Sequence, residues 1–280
     1  MGSYALLGEK LGHSLSPQLH AAIYRQLGRT DSTYRAVEVE PTKVADFFAG
    51  FAAGAFDGIN ITIPYKATAL PFLQQIDAKA KRLNAVNCVY LRHGELIGYN
   101  TDVSGFAYLL RRHTIGLSGA KCAILGAGGS AQAVASVLAD GDVKSVKVAN
   151  RSLDKANRLS MFIESLNPNV STEIVEFSEL SGADLDLLIN TTSLGMSPNV
   201  DASAMSGADF SQIKAVVDLI YNPAETLIMR EAEAAGAKTV NGLEMLVAQA
   251  VYSAEIWFGG NVISRVDMDA LTDEIAELVV

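Results

Sequence analysis

Short apolar runs alternate with amphipathic stretches through the first hundred residues. Short runs of apolar residues predict strands, and apolar residues spaced three or four apart predict helices. Ser16 is predicted as the N-cap of the first helix, with Pro17 at the first helical position. A hairpin is predicted to turn at His93 and Gly94. Strands are predicted at residues 4–7, 33–39, 58–63, 85–91 and 96–99, and helices at 16–27, 44–51 and 66–73.

The same alternation continues after residue 103 with six further strand-like runs. Strands that alternate with helices are typical of a mostly parallel sheet with helices on both faces. The sequence therefore predicts an α/β protein of two domains. Residues 1–102 form a smaller α/β domain, completed by C-terminal helices within 243–280, and residues 103–242 form a doubly wound domain. The six strands are predicted at 121–125, 145–149, 173–177, 185–190, 215–219 and 238–240.

A glycine-rich loop follows the first of these six strands and opens a helix. Gly126 permits a tight turn, Gly128 lets the backbone approach a pyrophosphate, and Ala131 allows close helix packing. The free N–H groups of a helix N-terminus favour the phosphates. Residues 126–131 therefore predict a Rossmann-type dinucleotide site, and a purely structural glycine turn is the alternative. The loop residues are Gly126, Ala127, Gly128, Gly129, Ser130 and Ala131.

The residues at the end of the next strand distinguish an NAD site from an NADP site. An NAD site usually carries Asp or Glu there to bind the ribose 2′-hydroxyl, whereas this chain has Asn150, Arg151 and Ser152. The planar guanidinium of Arg151 can pair with a 2′-phosphate. Ser152 can donate to it, and Lys155 lies one helical turn further on. The pattern favours NADP, with a solvated surface arginine as the alternative for Arg151.

Polar clusters interrupt the apolar segments of the first domain near strand ends. They are Ser14 to Pro17, Asn60 to Lys66, and Asn100 to Asp102, and Asn87 lies inside a predicted strand. Strand ends around one sheet can converge on a single site. Hydroxyls, amides and one ammonium group suit a small carboxylic acid that carries several hydroxyls.

Composition and charge exclude several other classes of protein. Apolar residues make up 49% of the 280 residues and the net charge is −9, so a folded core is expected and a basic nucleic-acid-binding stripe is not. The two cysteines are expected to be buried free thiols, and the four histidines show no metal-ligand spacing. We find neither a signal peptide nor an apolar run long enough for a membrane helix, so a cytoplasmic protein is expected.

Taken in order, the motifs SLSP, NITIPYK, AVN, YNTD, GAGGSA, NRS, NTTSLGM, DLIYNP and NGLEMLVAQA resemble the shikimate dehydrogenase family over roughly residues 4 to 260. The resemblance implies a substrate domain, an NADP domain, and NADPH-dependent reduction of 3-dehydroshikimate to shikimate. It also implies Lys66 and Asp102 as the catalytic pair. The implied substrate contacts are Ser14, Ser16, Asn60, Thr62, Asn87, Tyr221 and Gln249. The implied contacts near the nicotinamide are Thr191, Met196, Leu219, Gly242 and Met245.

Several of these residues, and the function itself, allow a second interpretation. Asp102 could be a plain N-cap for the helix at 103–112, Gln249 a solvated residue, and Tyr221 an ordinary strand-end aromatic. The predicted helix at 66–73 would place Lys66 in its first turn, beside the positive end of the helix dipole. A quinate/shikimate dehydrogenase with mixed NAD/NADP use and an inactive NADP-binding regulatory protein are the competing functions. The sequence is compatible with a monomer or a homodimer.

Overall fold

Two units make up the chain in the computed structural model, which describes residues 2–12 and 14–279. One unit contains the residues up to Gly105 together with Leu246–Leu278, and the other contains Phe106–Met245. None of the helices in the described part of the chain has the length and hydrophobicity that a bilayer crossing requires.

The first unit is built on a six-stranded mixed sheet with the strand order β2-β1-β3-β5-β6-β4. β1 pairs in parallel with both β2 and β3, whereas β5 pairs antiparallel with β3 and with β6. β1 and β3 are central and almost fully buried, which explains why they read as continuous apolar runs. The strands are β1 Ser3–Gly8, β2 Thr33–Glu38, β3 Gly58–Ile61, β4 Gln75–Ile76, β5 Cys88–Arg92 and β6 Glu95–Tyr99.

The hairpin between β5 and β6 is confirmed. His93 and Gly94 both have positive φ, 53° and 81°, as a tight two-residue hairpin turn requires. Helices of this unit are α1 Ser16–Gln26, α2 Val44–Gly50, α3 Ala78–Leu83 and α9 Met268–Ala276. Helices α4 Asp102–Arg112 and α8 Leu243–Phe258 run through the boundaries between the units.

The predicted start of α1 is wrong by one residue. Leu15 is the N-cap and makes no side-chain capping bond, while Ser16 is already helical. The Ser16 hydroxyl accepts a hydrogen bond from the Ser14 hydroxyl at 3.2 Å. The helix begins early because the Leu15 carbonyl oxygen accepts from the Leu19 amide at 3.0 Å.

The predicted helix at 66–73 is also wrong. Residues 63–69 form successive turns, and only Leu70–Phe72 make a short 3₁₀ helix. The Lys66 carbonyl oxygen accepts from the Val86 amide at 2.9 Å. It therefore makes a tertiary hydrogen bond in place of a helical one. Lys66 therefore does not lie in the first turn of a helix of its own.

The second unit carries a parallel six-stranded sheet with the order β12-β11-β10-β7-β8-β9. If β7 is counted as the first strand and the sheet is read from its β9 edge, the strand order is 3-2-1-4-5-6. This is the doubly wound Rossmann arrangement, and it confirms the predicted fold class. A core of buried apolar side chains packs against this sheet. The elements are β7 Lys121–Leu125, α5 Gly129–Asp140, β8 Ser145–Ala149, α6 Leu153–Leu166, β9 Ser171–Val175, β10 Leu187–Asn190, β11 Ala215–Asp218, α7 Leu227–Ala234 and β12 Lys238–Val240.

Candidate active site

An ammonium group and a carboxylate from separate segments meet in the first unit. Lys66 comes from the turns after β3, and Asp102 is the first residue of α4. Lys66 Nζ donates a hydrogen bond to Asp102 Oδ2 at 2.6 Å. Their side chains are 21% and 13% exposed, so both are shielded yet reachable from solvent. An ammonium has three N–H donors, and this bond uses one of them.

Neighbouring amides hold Asp102 in place. Asn87 Nδ2 donates to Asp102 Oδ1 at 2.8 Å and to Thr101 Oγ1 at 3.0 Å. Asn87 Oδ1 accepts from the Thr101 amide at 2.7 Å. Asn100 Oδ1 accepts from the Asp102 amide at 3.1 Å, so Asn100 satisfies a free N–H group at the start of α4. Both carboxylate oxygens of Asp102 are thus held by donors from the protein.

Asn60 lies in the core of this unit and is 5% exposed. Its Oδ1 accepts from His20 Nε2 at 3.1 Å and from the Tyr34 hydroxyl at 2.9 Å. Its Nδ2 donates to Ser253 Oγ at 2.8 Å and to the Asn87 carbonyl at 3.1 Å. Two acceptor and two donor positions are therefore occupied by protein groups. Direct contact of Asn60 with a substrate stays a prediction. It would require Asn60 to exchange one of these four hydrogen bonds for a bond to the substrate.

Two aromatic rings next to Asn60 are held neutral by burial. His20 stacks on Tyr34 with ring centroids 3.9 Å apart. Burial lowers the pKa of His20 to about 3, against a smaller opposite effect of its hydrogen bond to Asn60. Burial likewise raises the pKa of Tyr34 well above its usual value. Because Asn60 Oδ1 is an acceptor, Nε2 of the neutral His20 carries the proton.

The other predicted substrate contacts of this unit are half-buried. Ser14 and Ser16 bond to each other through their hydroxyls, as described above. Thr62 directly follows β3. Gln249 lies on α8, and its Nε2 donates to the Leu246 carbonyl at 2.8 Å. These side chains carry the hydroxyls and the amide that a polyol carboxylate would need.

The glycine loop of the second unit follows β7 and leads into α5. Gly126 has a φ of 98°, and a Cβ atom there would lie 2.7 Å from Thr191 Oγ1, so glycine is required. A Cβ atom on Gly128 or Gly129 would meet nothing within 4 Å, so both face open space. Gly128 is the N-cap of α5 and makes no side-chain cap, which leaves the N–H groups of the first turn available to an anion.

A cavity of about 240 Å³ lies beside this loop and contains two cationic side chains, Lys155 and Arg158. Of these two, Lys155 was predicted from the sequence and Arg158 was not. The spacing of three residues between Lys155 and Arg158 could have indicated Arg158, because it puts both side chains on one face of α6. The cavity is lined by Ala127, Gly128, Gly129, Gln132, Lys155, Arg158 and Leu159.

Residues 150–152 connect β8 to α6. Ser152 is the N-cap of α6, and its Oγ accepts from the Lys155 amide at 3.4 Å. Asn150 Nδ2 donates to the Ser152 carbonyl at 2.9 Å. Arg151 is exposed. A 2′-phosphate fits these residues, because the strand end offers cations and donors and lacks the carboxylate that would repel it.

A buried carboxylate organises the loops after β10 and β11. Asp218 is 0% exposed, and burial raises its pKa. It accepts from Asn190 Nδ2 at 2.9 Å, the Ile220 amide at 3.0 Å and Thr226 Oγ1 at 2.6 Å. These bonds fix the two strand ends that precede residues 191–196 and Tyr221.

The predicted nicotinamide contacts follow these strand ends. Thr191 Oγ1 donates to the Leu125 carbonyl at 2.7 Å, next to the glycine loop. Gly242 passes so close to the Leu219 carbonyl that a Cβ atom would overlap it. Met196 is 46% exposed, whereas Met245 is buried. Burial raises the pKa of Tyr221, so its hydroxyl stays protonated.

Within 2–12 and 14–279, no group of three or more His, Cys, Asp or Glu side chains is placed to hold a metal ion. Cys88 and Cys122 are buried free thiols, as predicted, and burial raises the pKa of each to about 12. The thiols are therefore protonated and unreactive.

Two family models match the chain in succession. One, described as the shikimate dehydrogenase substrate binding domain, matches residues 6–89, and the other, described as shikimate / quinate 5-dehydrogenase, matches residues 109–223. A curated protein from Bacillus subtilis named shikimate dehydrogenase (NADP(+)) is 37% identical over 257 residues, which cover 91% of each chain.

Solved structures give the same result for the fold. Shikimate 5-dehydrogenase from Thermus thermophilus, in complex with NADP(H) and shikimate, has a TM-score of 0.85 and 32% identity, with 100% of both chains covered. A ligand-free 5-ketofructose reductase of a Gluconobacter strain also has a TM-score of 0.85 and 32% identity, covering 99% of this chain and 98% of that one.

Proposed function

The chain belongs to the shikimate dehydrogenase family, and from this premise we propose that it catalyses the reversible, NADPH-dependent reduction of 3-dehydroshikimate to shikimate. The observation that carries the proposal is the 2.6 Å contact between Lys66 Nζ and Asp102 Oδ2. A proton donor held by a carboxylate is what reduction of a ketone needs at the carbonyl oxygen. The reaction belongs to the shikimate pathway of aromatic amino acid biosynthesis, and we place it in the cytoplasm.

Lys66 is the proposed proton donor. Bound NADPH would supply the hydride to the carbonyl carbon. As negative charge develops on the carbonyl oxygen, the Lys66 ammonium donates a hydrogen bond and then a proton to it. Two N–H groups of Lys66 remain for the substrate once the third is bonded to Asp102. In the reverse direction, the neutral amine accepts the proton of the alcohol.

Asp102 is proposed to orient Lys66 and to accept a bond from the neighbouring substrate hydroxyl. Its Oδ1 and Oδ2 each hold one protein donor and each keep a free lone pair. Because Asn87 holds the carboxylate and Asn100 holds the backbone amide of the same residue, Asp102 is already oriented before the substrate binds. Such preorganisation lowers the cost of reaching the reactive geometry.

The remaining substrate contacts are proposed from the family motifs and from their chemistry. Ser14 and Ser16 would hold the carboxylate of the substrate through their hydroxyls. The ring hydroxyls would contact the other polar side chains, namely Asn60, Thr62, Asn87, Tyr221 and Gln249. The unit that contains most of these residues, nominally 1–102 with 243–280, is the proposed substrate domain.

The second unit, nominally 103–242, is the proposed NADP domain. The pyrophosphate would lie against residues 126–131 at the start of α5, where Gly128 and Gly129 leave the backbone open. The 2′-phosphate would pair with the cations and donors after β8, which are Asn150, Arg151, Ser152 and Lys155. The nicotinamide would lie near Thr191, Met196, Leu219, Gly242 and Met245.

A substrate and cofactor matrix tests this function. The purified protein is assayed with 3-dehydroshikimate and 3-dehydroquinate, each with NADPH and with NADH, by following the ultraviolet absorbance of the reduced nicotinamide. We expect 3-dehydroshikimate with NADPH to give the highest kcat/KM. Comparable rates with 3-dehydroquinate or NADH would instead support a quinate/shikimate enzyme of mixed cofactor use.

Two further outcomes would replace the proposal. Because one structural neighbour is a 5-ketofructose reductase, 5-ketofructose with NADPH is included in the matrix. A higher kcat/KM on 5-ketofructose than on 3-dehydroshikimate would assign a different substrate. Binding of NADPH without reduction of any ketone would support the inactive regulatory protein. Light scattering of the same sample distinguishes the monomer from the homodimer.

A further inference from the structure

Helix α8 contributes a buried hydroxyl that faces the segment before Asp102. Ser253 is 0% exposed. Its Oγ donates to the Gln249 carbonyl at 2.9 Å, accepts from Asn60 Nδ2 at 2.8 Å, and lies 3.2 Å from Thr101 Oγ1. One serine thus joins a C-terminal helix to β3 and to the residue that precedes Asp102.

The hydrogen-bond directions connect this hydroxyl to Asp102. The proton of Ser253 is used at Gln249, so its oxygen is an acceptor towards Thr101. Thr101 Oγ1 in turn accepts from Asn87 Nδ2 at 3.0 Å. The second N–H of Asn87 Nδ2 donates to Asp102 Oδ1 at 2.8 Å. The path therefore runs from Ser253 through Thr101 and Asn87 to the carboxylate.

We propose that Ser253 is a positioning residue for the reaction, which acts through Thr101 and Asn87 on the orientation of Asp102. The proposal rests on the function proposed above. Thr101 and Asn87 are 3% exposed, so water cannot replace a lost partner without rearrangement. Without the Ser253 oxygen, the Thr101 hydroxyl has its remaining acceptor in Asn87 Oδ1, 3.2 Å away. The Thr101 hydroxyl proton then turns from Ser253 to Asn87 Oδ1, and this added bond pulls the amide that holds Asp102 away from its present orientation.

Replacement of Ser253 by alanine is the primary test, and Thr272→Ala is its matched control. Thr272 Oγ1 donates to the Met268 carbonyl four residues earlier, as Ser253 does to Gln249. Both changes remove a helical hydroxyl in the first unit. We expect kcat of Ser253→Ala to fall about tenfold with little change in KM, because a small misplacement of a catalytic group is costly. We expect Thr272→Ala to keep the wild-type kcat.

A double-mutant cycle separates positioning from general destabilisation. If Ser253 acts through Asp102, then Ser253→Ala has little further effect on kcat once Asp102 is asparagine. Additive losses in kcat would overturn the proposal. A second pair of variants, both at Thr101, tests the same path even if Ser253→Ala folds poorly. Thr101→Val removes the linking hydroxyl at constant shape and should lower kcat, whereas Thr101→Ser should restore it.

The outcomes also distinguish this inference from the proposed function. Wild-type protein that reduces no 3-dehydroshikimate contradicts the function itself. Active wild-type protein together with a Ser253→Ala variant whose kcat matches that of Thr272→Ala overturns the positioning role alone. Equal kcat values for Thr101→Val and Thr101→Ser would overturn it as well.

Discussion

Replacing Asp102 by asparagine removes the negative charge of the catalytic pair at constant side-chain size. Asp102 Oδ2 accepts from Lys66 at 2.6 Å and Oδ1 accepts from Asn87 at 2.8 Å. An asparagine has one oxygen and one NH₂ group, so its NH₂ group faces another donor in either orientation. One of the two hydrogen bonds is therefore lost, together with the charge attraction to Lys66.

The size of the effect follows from these contacts. A hydrogen bond to a charged group contributes about 1.5–3 kcal/mol. Each ~1.36 kcal/mol in the barrier changes a rate tenfold. Loss of one such bond in the transition state therefore lowers kcat by roughly 10- to 150-fold. KM should change less than kcat, because the substrate keeps its contacts with the serines.

Initial rates of NADPH oxidation at saturating 3-dehydroshikimate measure this kcat. Asp184→Asn is the control, since it also removes a carboxylate paired with a lysine, Lys121 at 2.5 Å, but one that is 63% exposed. We expect the control to keep the wild-type kcat. Thermal unfolding of both variants checks that they are folded. An Asp102→Asn enzyme with kcat within about threefold of the wild type would refute the assigned role of the carboxylate.

Three further predictions concern the cofactor, the fold and pH. Arg151→Ala should raise the Kd for NADPH more than for NADH in a fluorescence titration; equal changes would remove Arg151 from the 2′-phosphate site. Gly126→Ala, at a φ of 98°, should lower the free energy of unfolding by about 1–3 kcal/mol in urea, whereas Gly116→Ala, with open space around it, should not. Because burial lowers the pKa of His20 to about 3, the unfolded chain takes up the proton first as pH falls below about 6.5, and stability should drop by about 2 kcal/mol by about pH 5. His20→Gln should abolish that part of the pH dependence, and an unchanged slope would refute the assignment.

Much of the fold could be predicted from the sequence because burial leaves a regular pattern. The central strands of the second unit, β7, β10 and β11, are buried and mostly apolar. The glycine loop between β7 and α5 has a recognisable sequence motif. The hairpin at His93 and Gly94 was predictable for the same local reason. In the first unit, the missed helix α3 had a usable signal in Asp77, which accepts from the Lys79 amide at 2.9 Å as an N-cap.

Other features depend on contacts between distant segments and leave no local pattern. The turns at residues 63–69 replace a helix because Tyr65 is buried, with its hydroxyl donating to the Val39 carbonyl, and because Lys66 bonds to Val86. The pairing of Lys66 with Asp102 was expected from their motifs, and the geometry brings them together. The link from Ser253 to Asp102 crosses more than 150 residues of sequence, with Thr101 and Ser253 152 residues apart, so no spacing could indicate it.

The rate of 3-dehydroshikimate reduction by Lys66→Met tests the account most directly. Methionine keeps a long unbranched side chain and removes the ammonium, so binding of NADPH should be unchanged while kcat falls by about 100-fold or more. A Lys66→Met variant that binds NADPH and turns over at close to the wild-type rate would contradict the claim that this ammonium protonates the substrate.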